Sequence, residues 1–179
     1  IKKNNMKSIK YLLEFLLLII LFLIFKIIGY KNSSNIGGKI GEIFGPLIRS
    51  KKIIKNNILN AFPNIDKNNL KKIEKEMWNN YGRTFAEYAY INQFRNNKLK
   101  DNLKIEGEEI LKKIIEDKKP VLFLSGHFAN FELMAMIIEK SGINLASIYR
   151  PLNNFFLEPY MNRLRKENIC KIQIRKGLE

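Results

Sequence analysis

The chain has 179 residues, with 32 Lys and Arg against 17 Asp and Glu, one His and one Cys, for a formal charge of +15. One Cys allows no internal disulfide, and one His with one Cys cannot supply the roughly four ligands of a Cys/His zinc site, so no metal is expected. At 46% hydrophobic and 27% charged residues the chain is no disordered tail; its length suits one domain, or a membrane segment with part of a larger one.

The positive charge points only weakly to nucleic acid. Lys outnumbers Arg 25 to 7, beside 22 Asn and 28 Ile; these favoured residues have AT-rich codons, so base composition explains much of the excess. Residues 1–60 hold 11 basic and 2 acidic residues, 61–119 hold 13 and 10, and 120–179 hold 8 and 5. A nucleic-acid binder more often interleaves Arg and aromatics on one element, whereas this excess flanks the most apolar stretch and suits anionic lipid head groups. No nucleic-acid partner is expected.

Residues 1–10 read as a basic tail carrying Lys2, Lys3, Lys7 and Lys10, with Met6 as a natural start and 1–5 as upstream read-through. Residues 11–30, YLLEFLLLIILFLIFKIIGY, are interrupted only by Glu14, Lys26 and Gly29. Twenty helical residues measure about 30 Å, the thickness of a bilayer core. Tyr11 and Tyr30 suit the two interfaces, and Lys26 can snorkel. No small-x-small cleavage site follows, which favours an uncleaved anchor over a signal peptide. Basic residues on both sides leave the orientation open, a conflict that a helix lying in one leaflet would remove.

Residues 31–102 read as a helical juxtamembrane part. Gly37, Gly41 and Gly45 recur at intervals of four and would permit close helix packing, but the simpler expectation over 31–50 is a turn and a short helix. Lys51–Ala61 carries Ile54, Ile58 and Ala61 on one face and stops before Pro63, as a helix should. From Asp66, a plausible N-cap, Leu70, Ile73, Met77, Tyr81, Phe85 and Tyr88 repeat at three and four, with Trp78 beside them. That stripe reads as core, and Lys71, Lys72 and Lys75 as a solvated face.

Residues 103–179 read as an α/β core. Strands are predicted over 103–106, 120–126 and 145–149. Helices are predicted over Glu108–Asp117, with Ile110, Leu111, Ile114 and Ile115 inward, and over 131–140. Strand, helix, strand, helix, strand is an α/β unit with parallel pairing, in which ligands gather beyond the carboxyl ends of the strands.

Ser125-Gly126-His127-Phe128-Ala129-Asn130-Phe131-Glu132 occupies that position. With Asn130 capping the next helix, Glu132 lies in its first turn and His127 in the loop before it. A folded-back loop would let Glu132 accept a hydrogen bond from one imidazole nitrogen. The other nitrogen could then take a proton from an incoming hydroxyl, a base and orienter without a serine nucleophile. Spacing alone also fits a His ending a strand and a Glu favouring a helix N-terminus. Arg150, at the next strand end, can hold a phosphate or a developing oxyanion, with Asn130 a further candidate for substrate or oxyanion binding. Ser125 lacks the glycines of a nucleophile elbow, and Cys170 in the polar stretch NICKIQ reads as incidental. There is no P-loop and no G-x-G-x-x-G, and no cofactor is expected.

GHFANFE followed by IYRPLNN resembles the bacterial lipid A biosynthesis acyltransferases, the late lauroyl/myristoyl enzymes of the lysophospholipid acyltransferase superfamily. His127 and Glu132 match their H-x4-D/E motif, and Tyr149, Arg150 and Pro151 match their YRP block. Arg49, NNILNAFPNID (56–66), NNYGRTFAEY (79–88), Arg163-Leu164-Arg165 and Arg175-Lys176-Gly177-Leu178 follow the family's order. The likeness covers nearly the whole chain from Met6. The family usually has Gly where Ala129 stands and Trp where Phe131 stands.

The resemblance implies transfer of a fatty acyl group from acyl carrier protein to a hydroxyl of a lipid A precursor of the Kdo-lipid IVA type, at the cytoplasmic face of the inner membrane. His127 would be the general base, Glu132 its orienter, and Arg150 a phosphate or oxyanion ligand. Arg163 and Arg165 would be lesser candidates for acidic head groups or the carrier protein. The implied fold is an acyltransferase-like α/β fold: a membrane helix, a helical segment, then the first half of a mixed or parallel sheet, truncated at the C-terminus. A glycerophospholipid or glycolipid acceptor is the alternative within the class. A basic membrane-bound protein binding lipid or nucleic acid is the alternative outside it.

Overall fold

The computed structural model describes residues 2–177; Ile1, Leu178 and Glu179, the outer ends of the basic tail and of the 103–179 block, lie outside the described residues. The chain divides into two compact units, Phe22–Tyr90 and Ile1–Leu21 with Ile91–Glu179.

Helix α1 runs Lys2–Ile28 and so takes in most of the basic tail. Over Asn5–Ile28 it is long and apolar enough to cross a membrane, by length and composition, with a mean hydropathy of 2.7. It stops at Gly29, whose φ of 82° and ψ of 157° belong to a region open essentially to glycine alone. The break orphans carbonyls of the last turn. That of Phe25 is met by the hydroxyls of Ser33, at 2.7 Å, and of Tyr90.

Residues 31–50 are a correction to the expected turn and short helix: they lie almost wholly in one 19-residue helix, α2 (Tyr30–Ile48). The glycines that suggested a linker are its packing seam against α4 (Lys67–Glu87). A Cβ on Gly41 would run into the Trp78 carbonyl, and one on Gly82 of α4 into the Gly37 carbonyl. The low helix propensity of glycine is offset by backbone contact that no larger residue permits. Arg83 ties the pair from the side, donating to Asn79 Oδ1 at 2.6 Å, Asn35 Oδ1 at 2.8 Å and Ser34 Oγ at 3.2 Å.

Helix α3 (Lys51–Ala61) forms as predicted, and its Ile54 and Ile58 bury against Trp78, with Ile65, Leu70, Ile73 and Met77 packed around them. Asp66 caps α4 as predicted, its Oδ1 accepting from the backbone N–H of Asn68 at 2.8 Å and of Asn69 at 3.0 Å. The predicted stripe is core only in its first half, since Tyr81 and Phe85 turn outward while Trp78 supplies the buried aromatic.

The α/β unit continues with a short helix α5 (Ile91–Arg95), a 3-10 turn (Lys100–Asn102), α6 (Glu108–Asp117) and α7 (Glu132–Lys140). Strand β1 (Ala146–Tyr149), α8 (Leu157–Asn168) and β2 (Ile172–Arg175) complete it. β1 pairs with β2 in parallel, Ala146 opposite Ile172 and Tyr149 opposite Arg175, with α8 as the crossover. The fold class is α/β, as predicted, and mostly helical.

Two predicted strands do not form, and one that was not predicted does. Residues 103–106 and 120–126 carry no strand. An apolar run becomes a strand only beside a partner that completes its ladder, and among the described residues the sole ladder joins β1 and β2. α6 forms where predicted, yet no residue of it is buried; Leu111 and Ile115 line an open cavity of about 380 Å³ with Leu103, Ile105 and Ile137. β2 arises from KIQIRK, whose Ile-x-Ile alternation was the available signal. Cys170, at its entry, is buried, and its thiol donates to the Leu145 carbonyl at 2.8 Å.

Candidate functional site

The candidate base leaves residues 120–126 in a tight three-residue turn. The Phe128 N–H donates to the Gly126 carbonyl at 2.9 Å, placing His127 at the apex with its ring exposed. Ala129 follows with φ 44°, a left-handed conformation that costs an L-residue about 1 kcal/mol. This reversal returns the chain toward α7, and the His127 ring meets the Phe131 ring edge-on with centroids 4.4 Å apart.

Glu132 opens α7, where a carboxylate is favoured by the helix dipole. Asn130 does not occupy the cap position predicted for it. Phe131 does, and Asn130 contributes its backbone carbonyl, accepting from the Leu133 N–H at 3.1 Å. Its side chain is half-buried beside the turn.

Glu132 is buried at 7% exposure, and its Oε1 accepts from Arg165 Nε of α8 at 2.8 Å. Burial of a carboxylate is costly unless a cation and hydrogen bonds meet it. The sequence assigns Glu132 to His127 and Arg165 to an acidic ligand; the pairing the structure displays is Glu132 with Arg165. An Arg in the last turn of a crossover helix was the signal, but nothing local to it names Glu132 as partner.

Arg150 stands exposed just past β1, on the same strand-end side as Arg175 of β2. Tyr149, before it, accepts from Asn162 Nδ2 at 3.1 Å. Burial, then the neighbouring Glu158 carboxylate, pushes its phenol above the usual range. Arg163 is on the exposed side of α8, donating to Glu167 Oε1 at 2.6 Å within its own helix.

So the fold gathers Phe131, Glu132 and Arg165 with His127 on the adjoining turn, and sets Arg150 at the strand end. Sequence reasoning missed Asn154. It is buried, its Oδ1 accepts from the N–H groups of Phe156 and Leu157 ahead of α8, and its Nδ2 donates to Glu14 Oε2 and the Tyr11 carbonyl at 2.9 Å each. An Asn three residues before a helical run is the familiar Asx-turn signal.

A cavity of about 420 Å³ sits at the amino ends of β1 and β2, lined by Arg95, Lys140, Lys171 and Glu139 among others. Arg95 Nη1 lies 2.5 Å from Glu139 Oε2, close enough for an ion pair but out of hydrogen-bond alignment. This cavity contains none of the candidate catalytic residues, so chemistry is assigned by the groups on the 126–132 segment and not by cavity size. No three His, Cys, Asp or Glu among the described residues come together as metal ligands.

Compared with known proteins, residues 1–178 match the family model described as Bacterial lipid A biosynthesis acyltransferase. No curated protein and no solved structure matches the chain.

Proposed function

The chain belongs to the bacterial lipid A biosynthesis acyltransferase family, which makes it an acyltransferase acting on a lipid A precursor, and on that premise we propose the following reaction. The donor is a fatty acyl thioester of acyl carrier protein. The acceptor is a hydroxyl of a Kdo-lipid IVA type precursor. The site works at the cytoplasmic face of the bacterial inner membrane, to which α1 holds it.

His127, exposed on its turn, takes the proton of the acceptor hydroxyl as that oxygen attacks the thioester carbonyl. The new C–O bond forms, the C–S bond breaks, and the proton passes to the departing thiolate. Glu132 supplies fixed negative charge for the imidazolium formed on the way, and Arg165 keeps that carboxylate in place. Arg150 and Asn130 meet the lipid phosphate or the oxyanion, and Arg163 meets acidic groups of the carrier protein or lipid at the rim. No covalent acyl-enzyme is required.

The observation that carries this proposal is an exposed His five residues before a buried, Arg-held carboxylate, inside the family's matched span. His127→Ala tests it. Acyl transfer should fall about 10²- to 10⁴-fold, the contribution typical of a positioned base, with stability unchanged because the ring is exposed. Unchanged transfer would overturn the assignment. Mass spectrometry of lipids from cells lacking the gene tests the acceptor. Lipid A short of one secondary acyl chain supports the proposal, whereas intact lipid A with altered glycerolipid would move the acceptor to the glycerophospholipids.

A further inference from the structure

Within the helical unit, α2 divides its surface three ways. Gly41 and Gly45 face α4, while Asn35, Lys39 and Glu42 form a polar side. Between them Ile36, Ile43, Phe44, Leu47 and Ile48 fall within an arc of about 140° at 3.6 residues per turn. The helical unit leaves that row open, with Leu47 80% exposed, Ile48 79%, Ile43 66% and Phe44 54%. The row ends at a basic corner. From Ile43 to Ile65 there is no acidic residue, while Arg49 joins α2 to α3 and Lys51, Lys52 and Lys55 open α3, all four exposed. Lysines of α4 have carboxylates beside them, Lys72 with Glu76 at 3.9 Å and Lys75 with Glu42 at 3.4 Å. Among the described residues no carboxylate pairs with the four cations of the corner.

We propose that this α2–α3 corner is a membrane-docking surface, its apolar row in the acyl-chain boundary and Arg49, Lys51, Lys52 and Lys55 against anionic head groups. An exposed apolar row at helical spacing, with cations at its end and a polar side beside it, is what an interfacial helix presents. Such a helix lies along the surface. Its backbone is satisfied within itself, so only side chains need to suit the lipid.

Charge names the occupant. A second copy of the chain, seated here by two-fold symmetry, would bring its four cations up to the same four, and that repulsion opposes the contact. An anionic lipid surface takes the apolar row and the cations together. The helical unit carries a second exposure of the same kind on the last turns of α1, which begin the unit at Phe22. There Leu23, Ile24 and Ile27 are between 47% and 83% exposed. Lipid accepts separate apolar rows without a matching shape, because burial of apolar surface is non-directional.

The inference rests on the membrane localisation proposed above and not on acyl transfer. Leu47→Cys and Lys39→Cys, each singly in the full chain, would carry a fluorophore in vesicles of phosphatidylcholine, alone or with phosphatidylglycerol. Both kinds of vesicle would contain lipid bearing a nitroxide quencher on its acyl chain. Cys170 is buried, so the parent chain serves as the blank. On the anionic vesicles the label at 47 should be quenched several-fold more than that at 39, which lies on the polar side of α2. Each cation near an anionic surface contributes about five-fold to partitioning. Arg49→Gln, Lys51→Gln, Lys52→Gln and Lys55→Gln combined should therefore bring quenching at 47 down to its level on phosphatidylcholine alone, with the melting temperature unchanged. Equal quenching at 39 and 47 in a chain that floats with the vesicles would overturn the inference and leave the localisation standing. So would quenching at 47 that is indifferent both to phosphatidylglycerol and to the four Gln. A disulfide-linked dimer through 47 would give the surface to a second copy, and protection of 47 from a soluble maleimide in native membranes but not in lipid vesicles would give it to a protein; either overturns the inference. A chain that does not float with the vesicles overturns the localisation and this inference together.

Discussion

Two stretches that both carry large apolar side chains end in opposite states. Along the seam of α2 and α4, packing is closed: Ala86 is 0% exposed, Trp78 8%, and glycine backbones touch. Residues 118–131 carry PVLFL and two further Phe, yet Leu122 and Leu124 stay above 80% exposed and no ladder forms. A helix satisfies its own backbone and needs only a facing surface, which α2 and α4 give each other. A strand satisfies nothing until a neighbour arrives. The candidate base therefore sits on a segment outside any ladder, on a turn closed by the Phe128 N–H and flanked by the Phe131 ring, while the carboxylate behind it is fixed by α7 and α8.

The largest effect that would break this contrast is in the helical unit. Gly82→Leu forces a side chain into the Gly37 backbone, where nothing flexible can yield. Thermal unfolding of the full chain in detergent should show a loss of about 3 kcal/mol or more, the upper range for overpacking. Leu124→Ser, at an equally apolar position of the open segment, should change stability by less than about 0.5 kcal/mol. Equal losses would mean that the open segment is packed in solution.

Next in size is the pair that fixes the site. Arg165→Met leaves Glu132 buried without its cation and should cost about 3 kcal/mol, as removal of one partner of a buried ion pair does. Pairing it with Glu132→Gln should restore most of that stability. If Glu132 serves the imidazolium as proposed, acyl transfer in the double variant stays low. Recovery of transfer with stability would make the pair a structural tie and nothing more.

What was legible follows the same physics. α3, the Asp66 cap, α6, α7 and β1 were visible because each is announced by residues within one or two turns of itself. The α2 seam was not, since Gly37, Gly41 and Gly45 mean a linker or an interface according to what lies at Gly82, some forty residues on. His127 and Glu132 were marked by spacing and by likeness to a family, but the Arg165 partnership depends on how α8 returns across α7. The 120–126 run misled for the converse reason: its composition is that of a strand, and strand formation is decided by another segment.

A smaller effect sharpens the helical side. Asp66 has its carboxyl held below the usual range, first by the Asn69 backbone N–H and then by the Asn69 side chain. A depressed folded value means that its contribution is full above the ordinary carboxylate pKa and is lost as pH falls through the lowered one. Melting temperature should therefore fall on acidification below about pH 4 more steeply in the parent than in Asp66→Ala, which has already lost the cap. Parallel pH profiles would remove Asp66 as the source.

The smallest effect bears on the open side, at Ala129. Its φ of 44° puts a Cβ where glycine sits without strain, and the turn that presents His127 depends on that reversal. Ala129→Gly relieves about 1 kcal/mol of local cost but gives back a similar amount through the freer unfolded chain, so melting should shift little. The two terms act in different places. Relief belongs to the folded turn, and the entropy is paid mostly by the unfolded state, so the turn should hold its shape more often even where global stability is flat. Amide exchange at Phe128, whose N–H closes the turn onto Gly126, should slow in the glycine variant while the melting temperature stays put. Faster exchange at Phe128 would mean that Ala129 stiffens the turn, and that the left-handed residue helps to position the base.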